Sequence, residues 1–389
     1  MSAHVVVLGG GYAGCQAVKA LEKKHDGELT WINEDPYHLV LHESHRIISN
    51  PAAEDEITID VDDIKSDDTA FVEGRVVGVD VDERTIELES GDTVDYDYVL
   101  VCLGSRTAFY GIPGLEEHSH TLKSLDDAKG IHEDVVEAAE DATEDDPADV
   151  VVGGAGLSGI QSAGEVAEYR DEHDANLRIY LVEGMETVLP GASESLQDRL
   201  ADMLVERGVK IMTGDFIGEV DDETVYVGEE DDGYKVELDY DVLIWTGGVT
   251  GPEAAKEIEV DRDERSNQLR AGRDFTTSDE RVFALGDCAL VDQNGEMAPP
   301  TAQAAWMAAD VAADNVVRAI DGRDLREWTY KDKGTLISVG EDAVAHDVVG
   351  IPVETFGWIP ARFLKKMIAA RWIAGITSWG RALGAWSHL

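Results

Sequence analysis

The sequence predicts an α/β fold of two like units, each a wound parallel sheet, with the second unit inserted in the first and a helical region at the C-terminus. Three observations predict it. Two glycine-rich stretches of one kind, Gly9/Gly11/Gly14 in VVVLGGGYAGCQA and Gly154/Gly156/Gly159 in VVVGGAGLSGIQS, each follow an apolar run of strand type. After each comes a second β run that ends in an acid, LTWINED with Glu34 and RIYLVEG with Glu183. Far downstream, RVFALGDCAL has the pattern of a strand that returns to the first unit.

Each glycine has a physical reason. The first makes the tight strand-to-helix turn, the second lets the backbone approach a diphosphate, and the third lets the helix pack on the strand. The diphosphate then sits at the helix N-terminus, where free N–H groups and the dipole favour negative charge. An acid about 20 or more residues on hydrogen-bonds an adenosine ribose and repels a 2′-phosphate. Two such Rossmann-like units predict two dinucleotides bound side by side, and Glu183 points to NADH rather than NADPH at the second.

Composition bounds the setting. There are 81 acidic against 32 basic residues, a formal charge of −49, yet 43% of the chain is apolar, enough for real cores. Such a charge repels itself at low ionic strength, whereas at molar salt the Debye length falls to about 3 Å. The economical reading is a salt-rich cytoplasm, as in a haloarchaeon. The acids are spread through nearly every loop rather than blocked, so docking on a basic partner fits less well and nucleic acid is excluded. Cys15, Cys102 and Cys288 form no CxxC pair and no even framework, which argues against a disulfide set and a metal site. Cys15 reads as helix packing and Cys102 as strand core. HVVVLGG reads as a first strand rather than a leader, which places the active site in the cytoplasm.

In chain order, TAFVEGRVVGVDVDERTIELESGDTVDYDYVLVCLGS alternates like a meander that returns to the sheet, with a turn at Glu89-Ser90-Gly91-Asp92. SLDDAKGIHEDVVEAAEDA is helical and ends in an acidic linker with Pro147 as its stop. An acidic hairpin lies within VDDETVYVGEEDDGYKVELDYDVLIWTGGV. The units so drawn are 1–113 with 251–330, 114–250, and a C-terminal region 331–389.

The ordered elements GGGYAG, VCLGS, GGAGLSGIQSAGE, IWTGGV, FALGDCA, PPTAQAA and YKDKGT cover nearly the whole chain. Together they resemble the two-dinucleotide FAD/NAD(P) pyridine nucleotide-disulfide oxidoreductase superfamily, and within it the type II NADH dehydrogenases, the non-proton-pumping NADH:quinone oxidoreductases. That resemblance implies non-covalent FAD in the first unit, held by Gly9, Gly10, Gly11, Ala13 and Gly14 at the diphosphate and Glu34 at the ribose. It puts Asp287 at the ribityl chain, with Gly104, Gly286 and Ala302 beside it. It implies NADH in the second unit at Gly154, Gly156, Gly159 and Glu183, with Gly247 and Gly248 near the nicotinamide. The absence of a cysteine pair fits poorly with disulfide reductases and with sulfide:quinone reductase.

For the second half-reaction, AQAAWM resembles the family's quinone-site pattern. Gln303 matches its first glutamine, and Met307 replaces the second. Lys333 matches a family lysine that stabilises a reduced flavin or a quinolate; its other reading is a solvated lysine beside Asp332. Gln161 stands where the family often has a glutamate, and a neutral amide can neither relay protons nor pair with Lys333. Glu165 matches a nearby acid with a nicotinamide-side role. His42 and His45 are read either as proton suppliers near the flavin or as surface or packing histidines.

From Phe356 to Leu389 the charged residues are Arg362, Lys365, Lys366, Arg371 and Arg381, with no acid and with half of the chain's tryptophans. Phe363, Leu364, Met367, Ile368 and Trp372 are expected on one helical face, with the cations off it. No apolar run reaches the ~20 residues of a spanning helix. The mixture reads as an interfacial helix on a membrane surface; a dimer contact with a second copy, or a cap over the FAD unit, are the other readings. The function so implied is a peripheral NADH:quinone oxidoreductase on the cytoplasmic face of the membrane, with menaquinone as acceptor. The alternatives are a soluble NADH-dependent flavoprotein reductase and a redox-sensing NADH-binding flavoprotein.

Overall fold

A computed structural model describes residues 3–230 and 233–386. The first sheet opens with β1 (Val5–Leu8), wholly buried, as a strand covered on both faces must be. It leads into α1 (Tyr12–Leu21) and β2 (Leu29–Asn33), and the sheet continues with β3 (Ala70–Glu73). A three-stranded antiparallel meander follows, β4 (Val76–Asp80), β5 (Thr85–Leu88) and β6 (Thr93–Asp95), with Gly91 in its turn. β7 (Tyr98–Val101) then returns to lie parallel beside β1, Val5 opposite Tyr98.

The chain leaves the first unit through β8 (Arg106–Thr107). Helix α2 (Leu125–Asp141) starts on a reciprocal capping box of Ser124 and Asp127. The second sheet is built from β9 (Ala148–Gly153), α3 (Leu157–His173), β10 (Leu177–Glu183), α4 (Glu194–Glu206) and β11 (Lys210–Thr213). The acidic strands β12 (Ile217–Val220), β13 (Thr224–Glu230) and β14 (Gly233–Asp239) form a separate antiparallel sheet before β15 (Val242–Trp245) closes the parallel one. β16 (Val249–Thr250) pairs antiparallel with β8, so the chain leaves and re-enters the first unit side by side.

β17 (Val282–Ala284) completes the first sheet, whose order is β17-β7-β1-β2-β3. The second runs β11-β10-β9-β15. In both, the first strand lies between the second and the fourth, so the glycine turn after it opens at the crevice where the strand order reverses. α5 (Ala302–Ile320), capped by Thr301, packs on α1.

The C-terminal region is not helical throughout, as expected, but begins with an antiparallel sheet of β18 (Thr335–Val339), β19 (Asp342–His346) and β20 (Thr355–Gly357). β18 lies so close to α3 that a Cβ on Gly164 would meet the Gly340 nitrogen at 2.6 Å. α6 (Trp358–Ile376) and α7 (Trp379–Ala385) follow. The expected helical face is corrected. Ala361, Lys365, Ala369, Trp372 and Ile373 point inward, while Ile359, Phe363 and Met367 point out at 78%, 57% and 40% exposure. Trp372 stacks on Trp306 of α5, ring centroids 5.2 Å apart. Its indole N–H donates to His38 Nε2 at 3.0 Å, and His38 Nδ1 donates to the Gly10 carbonyl at 2.7 Å. The tail helix is therefore wired to the first glycine turn. Burial pushes His38 down to about 4, which keeps it neutral in that tautomer.

Candidate active site: a cofactor cavity bordered by a buried charge cluster

Gly9 turns with φ +101°, and a Cβ on Gly14 would collide with the Gly9 carbonyl, so only glycine brings α1 this close to its strand. Gly154 and Gly159 repeat this arrangement. A Cβ on Gly11 or Gly156 would meet nothing within 4 Å, which leaves open space over each helix N-terminus. Neither α1 nor α3 has a side-chain cap or an acid in its first turn, so their N–H groups are free for an anion. Both sets of residues fit a dinucleotide diphosphate.

The two turns are anchored alike. Gly10 N–H donates to Asn33 Oδ1 at 2.6 Å, and Ala155 N–H donates to Glu183 Oε2 at 2.7 Å. The strand-end position that matches Glu183 is therefore Asn33. Glu34 stands one residue further, at the cavity rim and 3.3 Å from Arg75.

A cavity of about 1070 Å³ lies between the units. Gly9, Gly10, Gly11, Ala13, Glu34, Gly104, Gly286, Asp287 and Ala302 all line it. Leu157, Ser158 and Gln161 of α3 line it from the second unit. Gly154, Gly156, Gly159, Glu183, Gly247 and Gly248 do not; they lie at or just beyond the carboxyl ends of β9, β10 and β15. Gly247 is required by the Trp245 ring and Gly248 by the Tyr110 hydroxyl, each of which would meet a Cβ. Asp287 accepts from Ser105 Oγ at 3.3 Å, and Ser105 accepts from Lys123 Nζ at 3.2 Å. Burial raises the Asp287 carboxyl, against Lys123 and Ser105, and lowers the Lys123 ammonium. Lys123 reaches this cavity from just ahead of α2 and was not predicted; its only sequence signal is its place before the Ser124 cap.

Beyond the cavity wall lies a cluster the sequence did not disclose. Lys365 Nζ stands 3.2 Å from Glu43 Oε2 and donates to Ser338 Oγ at 2.8 Å. Arg46 pairs with the same Glu43 oxygen at 2.6 Å. Gln161 Nε2 lies 3.1 Å from both His45 Nε2 and Ser338 Oγ. Glu165 accepts from Ser49 and sits 3.9 Å from His45. Despite the cost of burial, Lys365 and Arg46 hold Glu43 ionised, well below the usual carboxylate range. Burial pushes Glu165 up to about 7 and His45 well down, so below neutral pH their contact is between uncharged groups.

Several expectations change. Lys333 is exposed, its backbone N–H donating to Gln303 Oε1 at 3.0 Å, while Gln303 Nε2 donates to the Gly334 carbonyl at 3.4 Å. Both ends of the Gln303 amide are thus taken by a neighbouring loop, and neither Gln303, Met307 nor Lys333 lines the cavity. The buried cation near Gln161 is Lys365. Glu165 faces Ser49 and His45. His45 is buried and His42 half-buried; both line the cavity, and His42 hydrogen-bonds the Tyr12 hydroxyl. Burial pushes the Cys15, Cys102 and Cys288 thiols up, and all three are free.

The sequence pattern of the pyridine nucleotide-disulphide oxidoreductases matches residues 3–309. The chain belongs to this family. Among characterised relatives, it is 29% identical over 403 residues to a type II NADH:quinone oxidoreductase of Staphylococcus aureus, covering 97% of each chain. Among solved structures it is similar to NDH2 of Plasmodium falciparum in complex with NADH, with TM-score 0.82 and 14% identity over 100% of this chain and 98% of that one. It is also similar to the sulfide:quinone oxidoreductase of Aquifex aeolicus, with TM-score 0.81 and 18% identity over 96% and 91%. No disulfide links Cys15, Cys102 and Cys288, all of which are buried.

Two predictions test the site. Because a methyl on Gly11 meets no protein atom, Gly11→Ala should keep the circular dichroism and the melting temperature of the apoprotein while FAD occupancy, read from the 450 nm absorbance, falls about tenfold or more. Glu165 binds its proton more tightly folded than unfolded, so its contribution to stability is lost as pH rises from about 4.5 to about 7. Glu165→Gln should therefore gain up to ~3 kcal/mol on wild type between pH 5 and pH 8 in denaturant titrations at molar salt.

Proposed function

We propose that this chain is an FAD-dependent NADH:quinone oxidoreductase working at a membrane surface, with a menaquinone-type acceptor. One observation carries the reading: the first glycine turn and the start of α3, which follows the second, face one cavity. The relative named type II NADH:quinone oxidoreductase, matched end to end, supports it.

FAD, when bound, supplies hydride acceptance and onward electron transfer. The protein's part is orientation and water exclusion. Gly9 to Gly11 and the α1 N-terminus hold the diphosphate, and Asp287 with Lys123 brackets the polyol. Gly156 and the α3 N-terminus hold the second diphosphate. Glu183, anchored by the Ala155 and Met185 N–H groups, keeps oxygen lone pairs for a ribose and repels a 2′-phosphate, which favours NADH.

No helix among the described residues is long and apolar enough to cross a membrane. Membrane contact in this reading is interfacial. Ile359, Phe363 and Met367 of α6 and Trp379 and Leu383 of α7 form the outward apolar surface, with Arg371 exposed on α6. Such a basic, apolar surface on a body of opposite charge suits an anionic lipid face, here the cytoplasmic one, where NADH is available.

Anaerobic stopped-flow at molar salt tests the chemistry. NADH should bleach the flavin rapidly, NADPH more slowly, and a water-soluble menaquinone analogue should restore the colour. Bleaching without quinone-dependent recovery would move the acceptor elsewhere. For the membrane contact, the triple variant Ile359→Ser, Phe363→Ser, Met367→Ser should retain FAD and lose flotation with anionic liposomes. Unchanged flotation would assign that surface to a second copy or another partner.

A further inference from the structure

The two glycine turns meet one requirement by different means. Their helix N-caps, Gly11 and Gly156, share a backbone conformation, φ −76° and ψ −170° in one, φ −74° and ψ −172° in the other. The peptide just before each is therefore set at the same angle to its helix. In the second turn the carbonyl of that peptide, on Ala155, accepts from the Leu189 backbone N–H at 2.8 Å. In the first turn the matching carbonyl, on Gly10, accepts from His38 Nδ1 at 2.7 Å, with the Cys15 thiol donating at 3.3 Å. A neighbouring loop does for one turn what an imidazole does for the other.

We propose that His38 and Trp372 are positioning residues for FAD: the tail helix seats an imidazole that turns the Gly10–Gly11 peptide toward the cofactor diphosphate. The peptide is planar and trans, so its C=O and N–H point in opposite directions. Gly10 and Gly11 line the cofactor cavity, and His38 does not. With the carbonyl drawn to His38 behind the turn, Gly11 N–H faces the cavity, on the side where a Cβ would meet nothing within 4 Å. Asn33 holds Gly10 from its other end by accepting the Gly10 N–H. The donor that meets the diphosphate is thus aimed from behind, by a residue that never touches it.

The imidazole does this in one state only. An indole N–H donates and never accepts, so the bond from Trp372 requires a lone pair on His38 Nε2 and leaves the ring proton on Nδ1, where it reaches Gly10. A ring protonated at both nitrogens would set a second donor against the indole N–H, and burial opposes that form. Trp372 is fixed in turn by its stack on Trp306, and Tyr12 packs edge-on against the His38 ring with centroids 5.2 Å apart. Both His38 and Trp372 are buried, so water does not stand in for the indole. The inference rests on FAD in the first unit and not on the quinone acceptor, so a failure of quinone-dependent recolouring leaves it standing.

The holoenzyme at molar salt tests this. Trp372→Phe keeps an aromatic ring against Trp306 and removes the N–H, so FAD release on dilution, read as free-flavin fluorescence, should become about tenfold faster. In the same variant the ³¹P resonances of the bound FAD diphosphate should shift. In the double variant His38→Asn, Trp372→Phe, the amide Nδ2 stands where Nδ1 stood along the side chain and donates to Gly10 without a partner in the tail. Release there should return to within about threefold of wild type, with the ³¹P resonances moving back toward their wild-type positions. Independently of any variant, ¹⁵N NMR of imidazole-labelled wild-type protein should show His38 as the Nδ1–H tautomer. Unchanged release in Trp372→Phe, faster release with unmoved ³¹P resonances, a double variant that loses FAD as fast as Trp372→Phe, or an Nε2–H tautomer at His38 would each overturn the proposal.

Discussion

At Gly14 and Gly159 a helix backbone lies against the carbonyl oxygens of Gly9 and Gly154, closer than any side chain would permit. Everything else in the site is measured from those two contacts. They seat α1 and α3 on their strands, leave both helix N-termini uncapped, and hold open the space over Gly11 and Gly156. The constraint is steric and needs no partner to enforce it. It also explains why both turns carry an internal hydrogen bond to the end of the second strand, from Gly10 to Asn33 and from Ala155 to Glu183. A loop with this little tolerance must be fixed at both edges.

α3 then serves three surfaces at once. Its first turn borders the cofactor cavity through Leu157, Ser158 and Gln161. Its next turn carries Glu165 into the charge cluster, and Gly164 lets β18 approach its backbone. The second dinucleotide unit is thereby tied to the first unit's segment Leu41–Ile48 and to the C-terminal sheet. Charges are tolerated at this junction because each ionised group is paired. Glu43 answers both Arg46 and Lys365, while His45 is neutral and Glu165, which lacks a full counter-charge, keeps its proton up to about pH 7.

What could be read from residues alone follows the same physics. Fingerprint glycines, apolar strand runs and the capping box of α2 are local, so the two sheets and the cavity's FAD-side lining were legible. Lys365 was not, because a lysine among apolar residues looks the same whether it snorkels to water or is buried against an acid 322 positions away in the sequence. Glu43, between His42 and His45, carries no local sign of burial, since its partner Lys365 comes from the far end of the chain. Gln303 and Lys333 were misplaced for a related reason: motif spacing fixes the backbone, but the Gln303 amide is claimed by a loop whose path only tertiary structure sets. Glu34 and Asn33 differ by one residue, and only the strand end decides which of them matches Glu183.

α6 brings the outer surface and the inner cluster onto one element. An ordinary surface helix turns one apolar stripe inward and leaves the other side polar. Here Trp372 and Lys365 reach inward, to the glycine turn through His38 and to Glu43, while Ile359, Phe363 and Met367 stay apolar and uncovered. A helix apolar on opposite faces is a layer between two phases, and its seating matters to both. Moving it outward would withdraw Lys365 from Glu43 and Trp372 from His38 together. Whatever covers the outer face therefore bears on the groups that border the cofactor cavity.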